Sequence, residues 1–341
     1  MEKEIHEQPQ VLKNTFNTNK PIFEKIQEEL SVKKIKSVIF AARGSSDNSG
    51  VYLKYMFEVY CKLPLSFAAP SVFTVYNSDI DFTDALVIGV SQSGKAEDVL
   101  SVINAANKQK AYTLTITNYE DSPLAKAGKH HLCLGVGEEK SVAATKTFTS
   151  QMYLLGILVA YISNNQDLID EFQNIPNGIE KALINTNQIA KIAKKMKNVE
   201  DCFVLGRGFQ YAITKEIALK LQETTYIKAL PFATSDFYHG PLAMADDKSN
   251  VLVLAPVDET WVNSIEIIER LSQQNCNLYI ITDKEDGLDN HENQIVIPKF
   301  SLHSFPFTCI VTAQLLALNI SLNKGLNPDI PRSLNKVTVT L

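Results

Sequence analysis

Short apolar runs rich in β-branched residues alternate with stretches of helical periodicity along most of this chain. Val38–Ala42, Leu86–Val90 and Thr113–Thr117 read as strands buried on both faces, each followed by a turn and usually a helix. Helical spacing occupies residues 48–61, 97–108 and 145–163, and a polar helical stretch over 167–198 reads as a connector. The pattern then resumes, with strands expected at Cys202–Leu205, Val251–Pro256, Leu278–Thr282 and Gln294–Ile297. Helices are expected near 209–224, 260–274 and 304–322. The second half echoes the first, with Ala42-Arg-Gly44 after one strand and Gly206-Arg-Gly208 after another. The fold class is therefore α/β: a weak internal duplication of three-layer α/β/α domains with central parallel sheets. Ligands of such open sheets sit beyond the carboxyl ends of the strands, where these loops fall.

Two of those loops turn polar and small just before a helix: Phe40-Ala-Ala-Arg-Gly-Ser-Ser46 and Val90-Ser-Gln-Ser-Gly94. Gly and Ser are ordinary turn residues, and one such loop says little. Two in one domain, each opening a helix, point to phosphate binding by helix N–H groups with hydroxyls as added donors. The expected donors are Ser46, Ser91, Gln92 and Ser93, with Ser45 beside them and Gly44 and Gly94 allowing close backbone approach. Neither loop carries the lysine of a nucleotide P-loop or the glycine spacing of a dinucleotide fingerprint. A small phosphorylated metabolite is expected, and no cofactor.

Composition narrows the class. A length of 341 residues suits two domains, and 45% apolar with 21% charged residues suits a soluble globular protein. A net charge of -5 without a dense basic block argues against nucleic-acid binding. The longest strongly apolar run, Tyr153 to Ile162, is too short for a membrane span, and the polar, acidic N-terminus shows no signal peptide. Cys61, Cys133, Cys202, Cys276 and Cys309 are scattered and form no CxxC pair. They read as reduced packing residues of a cytoplasmic protein, and no metal-ligand cluster is expected.

Glu216, Lys220 and Glu223 lie four and seven residues apart in a helical stretch, so their side chains share one face. Taken alone, the first pair reads as an exposed i,i+4 ion pair. The apolar neighbours Ile217, Ala218, Leu219 and Leu221 leave little room for a broad polar surface, which favours a partly desolvated carboxylate beside a lysine: a general base. His239, in Asp236-Phe-Tyr-His-Gly-Pro241, reads as a surface histidine or, given its nearness in sequence to Glu223, a second site residue. Lys336, near the C-terminus, reads from composition alone as a solvated tail residue.

Taken in order, these segments resemble the SIS (sugar isomerase) family over nearly the whole chain. Within it they resemble the isomerase module of glutamine–fructose-6-phosphate aminotransferases and the stand-alone SIS-type glucosamine-6-phosphate deaminases. The segments are Glu4-Ile-His-Glu-Gln-Pro9, Ser91-Gln-Ser-Gly94, Val142-Ala-Ala-Thr-Lys146, Leu205-Gly-Arg-Gly208, Ala218-Leu-Lys-Leu221, His239-Gly-Pro-Leu-Ala243 and Pro331-Arg332 with Lys336. Ala42-Arg-Gly-Ser-Ser-Asp47, Ala69-Pro-Ser-Val72 and Glu138-Glu-Lys-Ser-Val-Ala-Ala-Thr145 look most like the deaminases.

The resemblance implies a first SIS domain over 1–165 with the phosphate loops, a second over 166–325 with the catalytic helix and histidine loop, and a tail over 326–341 completing the site. It implies that Glu223 shuttles a proton between C1 and C2 of an open-chain sugar, with Glu216 and Lys220 supporting it. His239 would open the sugar ring, reaching across from a second copy in a homodimer, and Lys336 would sit at the substrate carbonyl. Val142, Ala143 and Ala144 would contact the sugar. The chain departs from the family at Lys95-Ala96, at Ala144 where a serine is usual, at Ile227-Lys-Ala-Leu230 and at Asp236. These departures bear on the substrate more than on the chemistry. No glutaminase domain with an N-terminal cysteine nucleophile is present in the sequence, so glutamine-driven amination is not expected.

The expected reaction is conversion of glucosamine 6-phosphate to fructose 6-phosphate and ammonia. The alternatives are a fructosamine-6-phosphate deglycase, to which Lys228 and Leu230 would belong, and a non-catalytic sugar-phosphate sensor. A sensor has no use for Glu223, His239 and Lys336 together. No nucleic acid or membrane partner is expected.

Overall fold

Strands that are apolar on every residue need cover on both faces, and the central strands of this protein have it. In the computed structural model, which describes residues 1–336 apart from 79, 185 and 302, two five-stranded parallel sheets are flanked by helices. The first contains β1 (Ser37–Ala41), β2 (Leu65–Phe67), β3 (Ala85–Val90), β4 (Tyr112–Thr117) and β5 (His130–Cys133), in the order β2-β1-β3-β4-β5. The second contains β6 (Asp201–Gly206), β7 (Lys228–Ala233), β8 (Asn250–Ala255), β9 (Asn277–Thr282) and β10 (Gln294–Val296), in the order β7-β6-β8-β9-β10. The two orders are the same, which establishes the duplication the sequence suggests. Every residue of β3 and β4 is buried, whereas the edge strands β2 and β5 keep exposed or half-buried positions.

The chain divides into two compact units. One holds β6–β10 and is built from Met1–Pro9, Lys140–Thr145 and Asn174–Leu334. The other holds β1–β5 and is built from Gln10–Glu139, Lys146–Gln173 and the tail from Asn335 as far as it is described. In the β1–β5 unit, Ala41, Ala85 and Val87 pack with Val99, Val102 and Ile103 of the helix Glu97–Lys108. In the β6–β10 unit, Leu205, Val253 and Ile280 pack with Ile267, Ile268 and Leu271 of the helix Trp261–Gln273.

The expected central strands and helices are present, and apart from the helix expected over 48–61 their ends lie within one residue of the expected ones. Three edge strands, β2, β5 and β7, and a 30-residue helix, Glu2–Ser31, were not anticipated from the pattern. The expected helix over 48–61 begins at Ser45 and gives way after Met56 to a π-helical turn, Phe57–Cys61. The apolar run at 153–162 is not the extreme of the chain. Among the described residues, one helix, Ser304–Asn323, is long and apolar enough to cross a membrane. Its most apolar stretch is 89% buried inside the protein, the setting of a core helix.

Candidate active site

In the β1–β5 unit, the chain runs from β1 to β2 on one side and β3 lies on the other side of β1, so the loops after β1 and β3 meet at the switch point of the sheet. An ion pair between Arg43 Nε and the buried Asp98 Oδ2, 2.5 Å long, ties the first loop to the helix that follows the second. Gly44, with φ 56°, opens the helix Ser45–Met56, and a side chain there would meet nothing within 4 Å. Gly94 is more constrained. It has φ 64°, and a Cβ would fall 2.1 Å from Ser122 Oγ, so any side chain would displace the loop. The amide of Leu124 donates to Gly94 O (3.1 Å) and that of Asn118 to Gln92 O (3.1 Å), fixing the second loop against the end of β4.

Three hydroxyls of this pair of loops share one polarity. Ser91 Oγ accepts from Gly94 N at 3.2 Å and Ser93 Oγ accepts from Lys95 N at 3.3 Å. Ser46 Oγ accepts from Gln151 Nε2 at 2.9 Å, on the buried helix Lys146–Ile162. Each oxygen is used as an acceptor, so each O–H is left to donate elsewhere, which is what an anion needs. Gln92 and Ser93 are half-exposed, Ser45 likewise, while Ser46 and Ser91 are 8% exposed.

In the β6–β10 unit, the helix Gln210–Thr225 packs against β6, β7 and the helix Ser304–Asn323. That cover overturns the reading of Glu216 and Lys220 as an exposed surface pair: their side chains are 0% and 1% exposed. Lys220 Nζ lies 3.3 Å from Glu216 Oε1 and 2.6 Å from Glu223 Oε2. Burial alone would depress the Lys220 ammonium, but the two carboxylates outweigh it and hold its pKa above the usual lysine value. Glu223 is the outer member, with 19% of its side chain exposed. The helix ends at Tyr226 in the left-handed region (φ 60°), and Lys324 Nζ caps it by donating to Thr225 O at 3.2 Å and Val199 O at 3.0 Å.

Two further sequence motifs converge on this unit. Glu4 Oε1 accepts from the amides of Lys140 (2.5 Å) and Ser141 (3.2 Å), and Val142 N donates to Asp329 O at 3.3 Å. Val142 and Ala144 are half-exposed and Ala143 is buried, so this segment is held through its backbone. Arg332 stacks over the Tyr226 ring at 4.1 Å and donates its amide to the Tyr226 hydroxyl at 3.0 Å. His239 is exposed on the turn after Phe237, where Gly240 takes φ 144°. Its amide donates to Asp236 O at 3.0 Å.

Lys336 belongs to the β1–β5 unit and is not a solvated tail lysine. Its Nζ lies 2.6 Å from Glu139 Oε2, with 25% of its side chain exposed. The expected residues thus fall into two groups: Gly44, Ser45, Ser46, Ser91, Gln92, Ser93 and Lys336 in one unit, and Val142–Ala144, Glu216, Lys220, Glu223 and His239 in the other. Sequence reasoning missed Gln151 and Glu139. Gln151 sits in an apolar helix with no motif around it; Glu139 lies within Glu138-Glu-Lys140, where nothing separates a buried carboxylate from a solvated one.

Known proteins share this architecture. The SIS domain model matches residues 31–161 and again 195–324. A glutamine–fructose-6-phosphate aminotransferase of Wigglesworthia glossinidia brevipalpis is 32% identical over all of this chain, which spans 58% of that relative. The solved C-terminal domain of the glucosamine-fructose-6-phosphate aminotransferase of Francisella tularensis superposes with a TM-score of 0.86 at 28% identity, covering 97% of each chain. A glucosamine-6-phosphate deaminase of Thermotoga maritima superposes with a TM-score of 0.77 over 99% of each chain, and at 22% identity it shows the shared fold. Two family matches, each on one of the duplicated sheets, lead to one conclusion: the chain belongs to the SIS domain family.

Proposed function

We propose that this protein is a phosphosugar deaminase and isomerase, converting glucosamine 6-phosphate and water to fructose 6-phosphate and ammonia. The reading is supported by the motifs shared with the aminotransferase isomerase modules and by the fold shared with the Thermotoga deaminase. The observation that carries it is the graded burial of the carboxylate stripe. Glu216 and Lys220 are sealed while Glu223 alone is partly open, as a base that must meet a substrate and a supporting pair that must not.

The phosphate is bound by the Ser46, Ser91, Gln92 and Ser93 side chains with Ser45 and Gly44 at the helix start. This grip is the same in ground and transition states, so its use is to hold the sugar in place and not to lower the barrier itself. His239, exposed on its turn, opens the pyranose ring, supplied by a second copy of the chain in a homodimer. Glu223 then removes the C2 proton from the open-chain aldehyde, giving the enolamine, and delivers a proton to C1. The product is a C1 alcohol with a C2 imine. Water adds at C2 and the nitrogen leaves as ammonia. Lys220, 2.6 Å from Glu223 Oε2, holds that carboxylate in position, and Lys336 donates to the substrate carbonyl oxygen. Val142–Ala144 contact the sugar hydroxyls.

The test is an assay of amine release over a panel of hexosamine 6-phosphates and fructosamine 6-phosphates. Ammonia with fructose 6-phosphate from glucosamine 6-phosphate is expected. Release of a free amino acid from a fructosamine 6-phosphate alone would replace this reading with the deglycase, and binding of the panel without turnover would replace it with a sensor.

A further inference from the structure

The ammonium of Lys336 hangs on a flexible four-carbon stem, by itself a poor way to hold a group at a reacting carbonyl. The structure places a buried anchor beside it. Glu139 is 4% exposed, and a carboxylate so buried is costly unless every oxygen is satisfied. Its Oε1 accepts from the amide of Thr147 at 3.0 Å and its Oε2 from the Thr147 hydroxyl at 2.9 Å. These donors lie in the first turn of the helix Lys146–Ile162, where negative charge is favoured. Both oxygens are thus oriented by the helix, and Oε2 also meets Lys336 Nζ at 2.6 Å.

We propose that Glu139 is a positioning residue: locked by Thr147, it holds the Lys336 ammonium in the place from which it acts on substrate. The inference rests on the role given to Lys336 in the reading above. Glu139 itself does not touch substrate. It removes the rotamer freedom of the tail lysine before substrate arrives, so the ordering cost is not charged to the reaction.

The test is a double-mutant cycle on the full chain with glucosamine 6-phosphate. Lys336→Ala is expected to abolish most turnover. Glu139→Gln, nearly isosteric, is expected to lower kcat by about tenfold to a hundredfold with little change in KM. In the Lys336→Ala background the same change is expected to cost nothing further. Trypsin gives a readout independent of activity: cleavage after Lys336 is expected to be faster in Glu139→Gln, because the lysine is no longer held. If Glu139→Gln does not fold, Thr147→Val loosens the same carboxylate and is expected to follow the same pattern more weakly. Full turnover of Glu139→Gln beside an inactive Lys336→Ala overturns the inference and leaves the reading intact. So does an equal loss in both backgrounds, which makes Glu139 merely structural. Full turnover of Lys336→Ala instead overturns the role of Lys336, and the inference with it.

Discussion

A serine hydroxyl can accept two hydrogen bonds but donate only one, so the use of its oxygen decides where its proton can go. Ser46, Ser91 and Ser93 each accept from a protein N–H, and Gln151 sets this polarity for Ser46 from a helix remote in sequence. A donor to a dianionic phosphate is worth about 1.5–3 kcal/mol. Ser46→Ala is therefore expected to raise KM for the phosphorylated sugar by about tenfold or more while leaving kcat near wild type, since uniform binding is what is lost. Gln151→Leu is expected to raise KM in the same direction by less. Steady-state kinetics decides the matter: a fall in kcat at unchanged KM would mean that Ser46 acts on the chemistry and not on the phosphate. At this scale the sequence is legible where residue type and spacing coincide, as in the Glu216, Lys220 and Glu223 stripe. It is silent where a partner comes from far away, as Glu139 does for Lys336, 197 residues on.

Elements are legible when their pattern is apolar. The central strands announce themselves because both faces are covered, whereas β2 is three residues long with one buried position, too short to stand out from a loop. The helix Glu2–Ser31 has a regular buried stripe at Ile5, Gln8, Leu12, Thr15, Asn19, Phe23 and Ile26, but three of these seven are polar, and Pro9 and Pro21 lie within the helix. Two of its polar members bond to backbone carbonyls: Thr15 donates to Leu134 O at 2.6 Å and Asn19 to Cys133 O at 2.7 Å. Hydropathy cannot register such a stripe. Toward its end Glu29 pairs with Lys129 and, at 3.0 Å, with His130 Nε2. Hydrogen bonds from Lys129 first and His130 second hold the Glu29 carboxyl down at about 2 from its ordinary 4.5. A depressed carboxylate contributes stability that is complete above the unfolded value, near 4.5, and is lost as pH falls toward about 2. The stability deficit of Glu29→Gln, measured by urea unfolding, is therefore expected to be largest above pH 4.5 and to shrink toward pH 2. A deficit constant across that window would assign Glu29 a packing role instead.

At the scale of the molecule, the duplication was legible from the repeated Ala42-Arg-Gly44 and Gly206-Arg-Gly208 turns, and the matching strand orders of the two sheets show how deep it runs. The copies have diverged in what they carry. The turn after β3 became Ser91-Gln-Ser-Gly94, suited to an anion, while its counterpart after β8 reads Pro256-Val-Asp-Glu-Thr260, which repels one. In the proposed reading the anion-binding loops lie in the first copy and the acid–base helix in the second, a division that composition could not reveal because it depends on which copy kept which loop. The central claim is that a gripped hexosamine phosphate loses ammonia because one carboxylate moves a proton from C2 to C1. The most direct measurement is ammonia release from glucosamine 6-phosphate by the wild-type chain and by Glu223→Gln, with folding checked by circular dichroism. The wild type is expected to turn over and the folded variant to fall by about 10²–10⁴-fold in kcat with KM little changed. A folded Glu223→Gln protein that releases ammonia at the wild-type rate would contradict the account.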